Sequence, residues 1–386
     1  MRAFDQFVAD GLASLERAGL LRRSDLALKE RAIEAAARLG RPAVDASSND
    51  YLGLGRGDVS RATFVESRAP SGAGASRLIH GTHPQHLTLE RELAGWVGLE
   101  SALLFSTGYA ANVGLLQALG TPGAVLVSDQ LNHASLIDGG RLSRGHVEVV
   151  PHLSVEAVDR CLSEHRGAPL RCVVSESYFS MDGDGPDLVA LRTVCDRHDA
   201  ALLIDEAHAL GVFGREGSGR CREAGVVPDA LVGTLGKAVG VQGAFVAGSA
   251  RLRELLWNRA RSFVFSTAPS PLLAELASFH VQQVRAADPA RELLARRSAE
   301  LRSSLAEVGL AIPTGSFGPI VPVLIGDEGR AVAIVEQLAA MGILAQAIRP
   351  PTVPAGTARV RLTAKATWDD QAPRSVATAL AKALGG

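Results

Sequence analysis

Three apolar stretches of the chain run directly into residues that can do chemistry. ALLIDEAH (201–208) ends on Asp205, with His208 three residues later, and ALVGTLGK (230–237) reaches Thr234 and then Lys237. ALLFSTGYAAN (102–112) opens a Ser-Thr-Gly turn into a helix, where free backbone N–H groups at Gly108 favour an anionic phosphate. The lysine stands out because the chain carries 40 Lys plus Arg, yet only Lys29, Lys237, Lys365 and Lys382 are lysines. Arginine does the basic surface work here. A lysine set among glycines after an apolar run, as in TLGKAVG, is placed to be desolvated, and a desolvated amine becomes a nucleophile or base.

Each residue also has an ordinary structural reading. Asp205 could cap a helix, His208 could be an interior histidine, and a glycine at a strand-to-helix turn is usually just a turn. A nucleotide P-loop is excluded by spacing: Gly233 lies only three residues before Gly236, and Ala238 follows the lysine where Ser or Thr is needed. Pyridoxal phosphate (PLP) accounts for the whole set. It requires an amine for its aldehyde, an acid for its pyridine nitrogen and donors for its phosphate.

The elements that must position these groups read as strands alternating with amphipathic helices. ALLFSTG (102–108), AVLVSD (124–129), HVEVV (146–150), RCVVSES (171–177), ALLIDEA (201–207), ALVGTLG (230–236) and GAFVAG (243–248) are short and apolar on both faces. Such runs suit a mainly parallel, seven-stranded sheet covered on two sides, an α/β domain whose ligands collect at the carboxyl ends of strands. Beyond residue 270 a long helical stretch precedes IVPVLIG, GILAQAI and ARVRLTA, a small α+β unit. The expected organisation is an arm over 1–45, a large α/β domain over 46–270 and a small domain over 271–386.

Composition narrows the partners. A formal net charge of -1 gives no electrostatic case for nucleic acid, and no run of about 18 apolar residues offers a membrane span. The amino-terminal residues alternate apolar and charged positions, unlike a signal peptide. Cys161, Cys172, Cys195 and Cys221 lack C-x-x-C spacing, which predicts free thiols in a cytoplasmic protein and no metal site.

Successive blocks then resemble one family in order: SSNDYLGL (47–54), GTHPQHLTLE (81–90), FSTGYAAN (105–112), LNHASLIDG (131–139), ESYFSMDGD (176–184), IDEAHALGVFGREGSGR (204–220), TLGKAVGVQGA (234–244) and AIRPPTVPAGTARVRLT (347–363). They are similar to the α-oxoamine synthases, PLP-dependent transferases of the aspartate-aminotransferase fold (fold type I). The resemblance implies that Lys237 binds the cofactor aldehyde and later acts as a base, that Asp205 pairs with the pyridine nitrogen, and that His133 stacks on the ring and approaches substrate. It places Ser180 and His208 near the ring hydroxyl, and Gly108, Tyr109 and Thr234 around the phosphate.

Arg349 and Thr352 would face substrate, with Arg349 clamping the amino-acid carboxylate, and Arg22 would meet the distal carboxylate of an acyl chain. The last block most resembles the biotin-pathway branch, which implies L-alanine and a pimeloyl thioester as substrates, carried on coenzyme A or acyl carrier protein. A homodimer is implied too, with FSTAPSP (265–271) near the partner's phosphate. One departure is that Ala75 and Arg77 stand where some members of this branch have glycines. Alternatives are another α-oxoamine synthase using glycine or serine, and an aminotransferase or lyase of the same fold.

Overall fold

In the computed structural model, which describes residues 2–22, 24–56 and 67–385, the apolar runs form strands whose successive side chains enter two different helical layers. The strands in chain order are β1 (Val44–Asp45), β2 (Ser101–Phe105), β3 (Val125–Asp129), β4 (His146–Val150), β5 (Arg171–Glu176) and β6 (Ala201–Asp205). There follow β7 (Ala230–Thr234), β8 (Ala244–Gly248), β9 (Ile320–Gly326), β10 (Ile343–Leu344), β11 (Gln346–Ile348) and β12 (Ala358–Thr363). Packing divides the chain into two units, one of Asn49–Ser180 with Asp184–Leu294, the other of Met1–Ser48, Met181–Gly183 and Ala295–Gly386.

The larger unit is built on a seven-stranded sheet of order β2-β8-β7-β6-β5-β3-β4. Only β8 runs against its neighbours, so the other six strands end at the same edge. Period-2 alternation sorts the side chains. Leu126, Cys172, Val174 and Leu203 pack with Ala111, Leu115 and Leu116 of the helix Gly108–Leu119. Val127, Val173, Leu202 and Ile204 pack on the opposite face with Val158 and Leu162 of Val155–Glu164 and Leu191 of Leu188–Arg197. Thr107, Ser154 and Asp187 start these three helices, each accepting a hydrogen bond from the amide three residues on.

Arg77 is a buried cation with a clear structural use. Its guanidinium pairs with Glu90 at 2.9 Å and lies over the Trp257 ring, while Arg253 holds the other Glu90 oxygen at 3.0 Å. Glu90 also accepts from the Leu104 amide of β2, so this ion cluster ties the helix Pro84–Val97 to the sheet.

The smaller unit holds the antiparallel sheet β11-β12-β9 and the parallel pair β1-β10. Residues expected as a separate arm belong to it: Ala32 of the helix Leu26–Arg38 is buried against Ala339 and Leu344. Burial disfavours a charged Asp45, but Lys365 at 2.7 Å and the hydrogen bonds from Ser47 outweigh it and hold its pKa at about 2. The boundary expected near 270 falls later, inside the helix Asp288–Glu307. The reason is that Pro271–Arg285 buries Ala274, Ala277, Val281 and Val284 and packs against Pro84–Val97, within the larger unit.

One charged residue pins the loop that follows β5. His152 bonds Asp129 at the end of β3 (2.8 Å) and Asp184 (3.2 Å), with its ring edge-on to Phe179 at 4.5 Å. Burial opposes the imidazolium, but the two carboxylates outweigh it and raise the pKa to about 10. Because this lies above the unfolded value near 6.5, the charge contributes fully below about pH 6.5 and its contribution is lost as pH rises through about 10. His152→Gln should therefore be less stable than wild type by on the order of a few kcal/mol in mild acid, with the gap shrinking in alkali. Urea denaturation of both proteins across that range measures it, and a pH-independent gap would contradict the charge.

Candidate active site

The chemistry gathers where the parallel strands of the larger unit end. Asp205 closes β6, Thr234 closes β7, and Thr107 leads from β2 into the helix that begins at Gly108. Lys237 sits half-buried in a tight return between β7 and β8, in which the Gly240 amide bonds the Lys237 carbonyl at 3.0 Å and the Val241 amide bonds Leu235 at 2.8 Å. Gly240 has φ +77°, and a Cβ there would lie 2.6 Å from the Gly55 amide nitrogen. The turn presenting the lysine therefore depends on a residue without a side chain.

Asp205 is buried, and both its oxygens are met. The Asn112 amide donates to Oδ2 at 2.7 Å, and the Ala207 N–H donates to Oδ1 at 2.7 Å. Asn112 also donates to Ser135 Oγ at 2.8 Å, which lies 2.7 Å from His133 Nδ1. The Ser135 amide donates to the same Nδ1, which places the proton of a neutral His133 ring on Nε2. Burial lowers the His133 pKa; Asp205 opposes that and Lys237 adds to it. A chain of hydrogen bonds thus joins Asp205 to an uncharged imidazole.

On β5, Glu176 lies opposite Asp205 and accepts the His133 N–H at 2.6 Å. Burial first, and Asp205 second, push its pKa well above the usual carboxylate range. His208 is buried with Nδ1 2.7 Å from the Tyr51 hydroxyl, and Ser180 is buried on the loop after β5.

The remaining site residues form two groups. The first-turn amides of Gly108 and Tyr109 have no acceptor among the described residues, as expected at a helix start. A Cβ on Gly108 would come within 3.9 Å of the Thr234 side chain, so these amides and that hydroxyl share one open corner. The Tyr109 side chain points elsewhere, its hydroxyl bonding Asp138 at 2.8 Å. Arg22, Arg349 and Thr352 belong to the smaller unit and cluster there. Arg22 donates to Thr352 Oγ1 at 3.1 Å, Arg349 donates to the Leu21 carbonyl at 2.8 Å, and all three line a cavity of about 820 Å³ with Leu28, Val332 and Leu344.

These groups fit PLP. The open corner of amides and hydroxyl suits a phosphate, and Asp205 suits a protonated ring nitrogen. The Asn112 Oδ1 is a buried oxygen with no partner among the described residues, another polar atom facing no protein donor. Sequence reasoning did not single out Asn112, Ser135, Glu176 or Tyr51. Glu176 carried a usable signal, an acid ending an apolar strand just as Asp205 does, whereas Asn112 and Ser135 read only as small polar residues in helix starts.

The chain matches the family model for class I and II aminotransferases over residues 41–380. Its curated relatives include 8-amino-7-oxononanoate synthases from Geobacter sulfurreducens, 43% identical over 349 residues and 89% of each chain, and from Alkalilimnicola ehrlichii, 40% identical over 393 residues and 99% of each chain. Among solved structures, a serine palmitoyltransferase from S. paucimobilis with a bound PLP–myriocin aldimine is similar with TM-score 0.84 and 29% identity, over 88% of this chain and 87% of that one.

The environment of Glu176 makes a direct prediction. Its raised pKa means that stability falls as pH rises above the ordinary carboxylate range, because the unfolded chain ionises there while the buried acid stays protonated. Glu176→Gln should match wild type in acid and exceed it in stability toward neutral pH. Glu176→Ala should lose roughly 1–3 kcal/mol by stranding the buried His133 N–H. Chemical denaturation against pH tests both, and a Gln variant that is less stable at neutral pH would show that Glu176 is ionised.

Proposed function

We propose a division of chemical labour among the residues of a chain that belongs to the class I and II aminotransferase family and, within it, to the 8-amino-7-oxononanoate synthases. The chain is a PLP-dependent acyltransferase of biotin biosynthesis. It condenses L-alanine with a pimeloyl thioester to give 8-amino-7-oxononanoate, carbon dioxide and the free thiol carrier. PLP, when bound, supplies an aldehyde that takes up amines and a cationic ring that withdraws electrons from the adjacent carbon.

The convergence of Lys237, Asp205, His133 and the Gly108–Thr234 corner at one sheet edge is the observation that carries this assignment. Lys237 would hold the cofactor through its Nζ, and the same amine, when free, would take the Cα proton of alanine. Asp205 would keep a proton on the ring nitrogen. The Asn112 and Ala207 hydrogen bonds fix its carboxyl group for that task. His133, whose pKa is lowered by burial, would meet the ring without opposing its positive charge and would offer Nε2–H to the substrate.

The Gly108 and Tyr109 amides and the Thr234 hydroxyl would hold the phosphate, and Ser180 and His208 would serve the ring hydroxyl. Arg349, in the smaller unit, would bind the amino-acid carboxylate. Thr352, which accepts from Arg22, would also face substrate, and Arg22 would meet the distal carboxylate of the acyl chain.

The proposed partners are coenzyme A or acyl carrier protein as thiol carrier, separated by parallel assay of both thioesters, and a second copy of the chain. The dimer reading is supported by exposed apolar side chains around the Ser76–Thr267 bridge: Ile79 is 79% exposed and Phe265 72%. Among the described residues no helix is long and apolar enough to cross a membrane. The four cysteines are free and buried, in keeping with a cytoplasmic setting.

Two sets of variants test these assignments. Lys237→Ala should fold but make no product, and borohydride reduction of the holoenzyme should label Lys237. Asp205→Asn should retain cofactor but lose roughly two orders of magnitude in alanine Cα-proton exchange into deuterated water, about 3 kcal/mol of transition-state stabilisation. Label on another lysine, or exchange within a few-fold of wild type, would overturn the respective role. For the dimer, Ile79→Glu is expected to shift sedimentation toward monomer, and an unchanged sedimentation coefficient would remove this surface from the interface.

A further inference from the structure

A second group of ligand-type side chains lies on β4, the edge strand of the large sheet. His146 and Glu148 are two residues apart, so strand alternation puts both on the face covered by the helix Val155–Glu164. That helix runs back against the strand direction, which brings His165, its C-cap, alongside the beginning of β4. His146 Nε2 is 2.7 Å and His165 Nε2 is 3.2 Å from the same Glu148 oxygen, Oε1. The three donor atoms all lie within 4.8 Å of one another.

We propose that His146, Glu148 and His165 form a binding site for a divalent transition-metal ion of the zinc type. Two imidazoles and one carboxylate are the ligand chemistry that zinc prefers among abundant cations, and three protein ligands leave a position for water. Ligands about 2.0–2.1 Å from a tetrahedral ion stand roughly 3.3 Å apart, and the two imidazoles stand 2.7 and 3.2 Å from the carboxylate oxygen, within 4.8 Å of each other. The side chains need little rearrangement, because two come from one strand. The third comes from a helix end whose backbone is fixed by His165 N–H to the Cys161 carbonyl and Ala168 N–H to the His165 carbonyl.

The site is separate from the catalytic groups in its residues, and the C-x-x-C spacing sought in the sequence could not reveal it. Its ligands are paired by sheet and helix packing, not by sequence proximity. An ion there would join the edge strand β4, which among the described residues pairs only with β3, to its covering helix.

Equilibrium dialysis of the untagged holoenzyme against zinc is the test, with cobalt substitution to read ligand geometry from its visible band and thermal melts with and without zinc. The expected result is one zinc per chain, a melting temperature that rises with zinc, and at least about a tenfold loss of affinity in both His146→Ala and His165→Ala. Neither variant is expected to change turnover in metal-free buffer, since neither side chain belongs to the catalytic group. Failure of wild type to bind zinc at roughly millimolar concentration, or undiminished binding by the two variants, would overturn the site.

Discussion

Glu176 and Asp205 stand side by side on β5 and β6, both buried, and two like charges cannot be held that close in so dry a place. The arrangement resolves the conflict by keeping the proton on Glu176, whose single strong partner is the His133 amide. Asp205 receives the donors instead, one side-chain amide and one main-chain N–H. Everything at this sheet edge follows from that asymmetry. The same Asn112 that serves Asp205 orients Ser135, and Ser135 orients His133, so the hydrogen bonds of one carboxyl group extend to the His133 ring.

A third acid, Glu206, shows how carefully the neighbouring chain is fitted. It is fully buried, its pKa lifted to about 7 by burial, and it accepts the Cys221 N–H at 2.9 Å. Gly219, at φ +95°, passes so close that a Cβ would fall 1.7 Å from a Glu206 oxygen. The glycine in GREGSGR is thus a clearance requirement for the carboxyl group after Asp205. Gly240 plays the corresponding part beneath the lysine turn.

Arg77 illustrates how packing accommodates a buried charge. The cost of its guanidinium is offset by Glu90 and by the faces of Trp257 and Phe263. Arg253 completes the cluster by neutralising the second Glu90 oxygen. The cluster holds the helix Pro84–Val97 to β2, the strand that leads to Gly108.

By itself the sequence determined the strand runs, the mainly parallel sheet and the nature of the chemistry, because each depends on short-range pattern. Apolar runs covered on both faces, acids and a lysine at their ends, and glycine turns are all readable locally. Asp205, Thr234, Lys237 and Gly108 stand out as candidates for that reason. Only the tertiary structure decided that Asn112 and Ser135 link Asp205 to His133, that Glu176 holds its proton, and that Pro271–Arg285 joins the larger unit. It also decided that His146, Glu148 and His165 meet at the sheet edge. A hydrogen bond, a raised pKa or a ligand cluster depends on distances between residues tens of positions apart, and no local pattern of residue types records those distances.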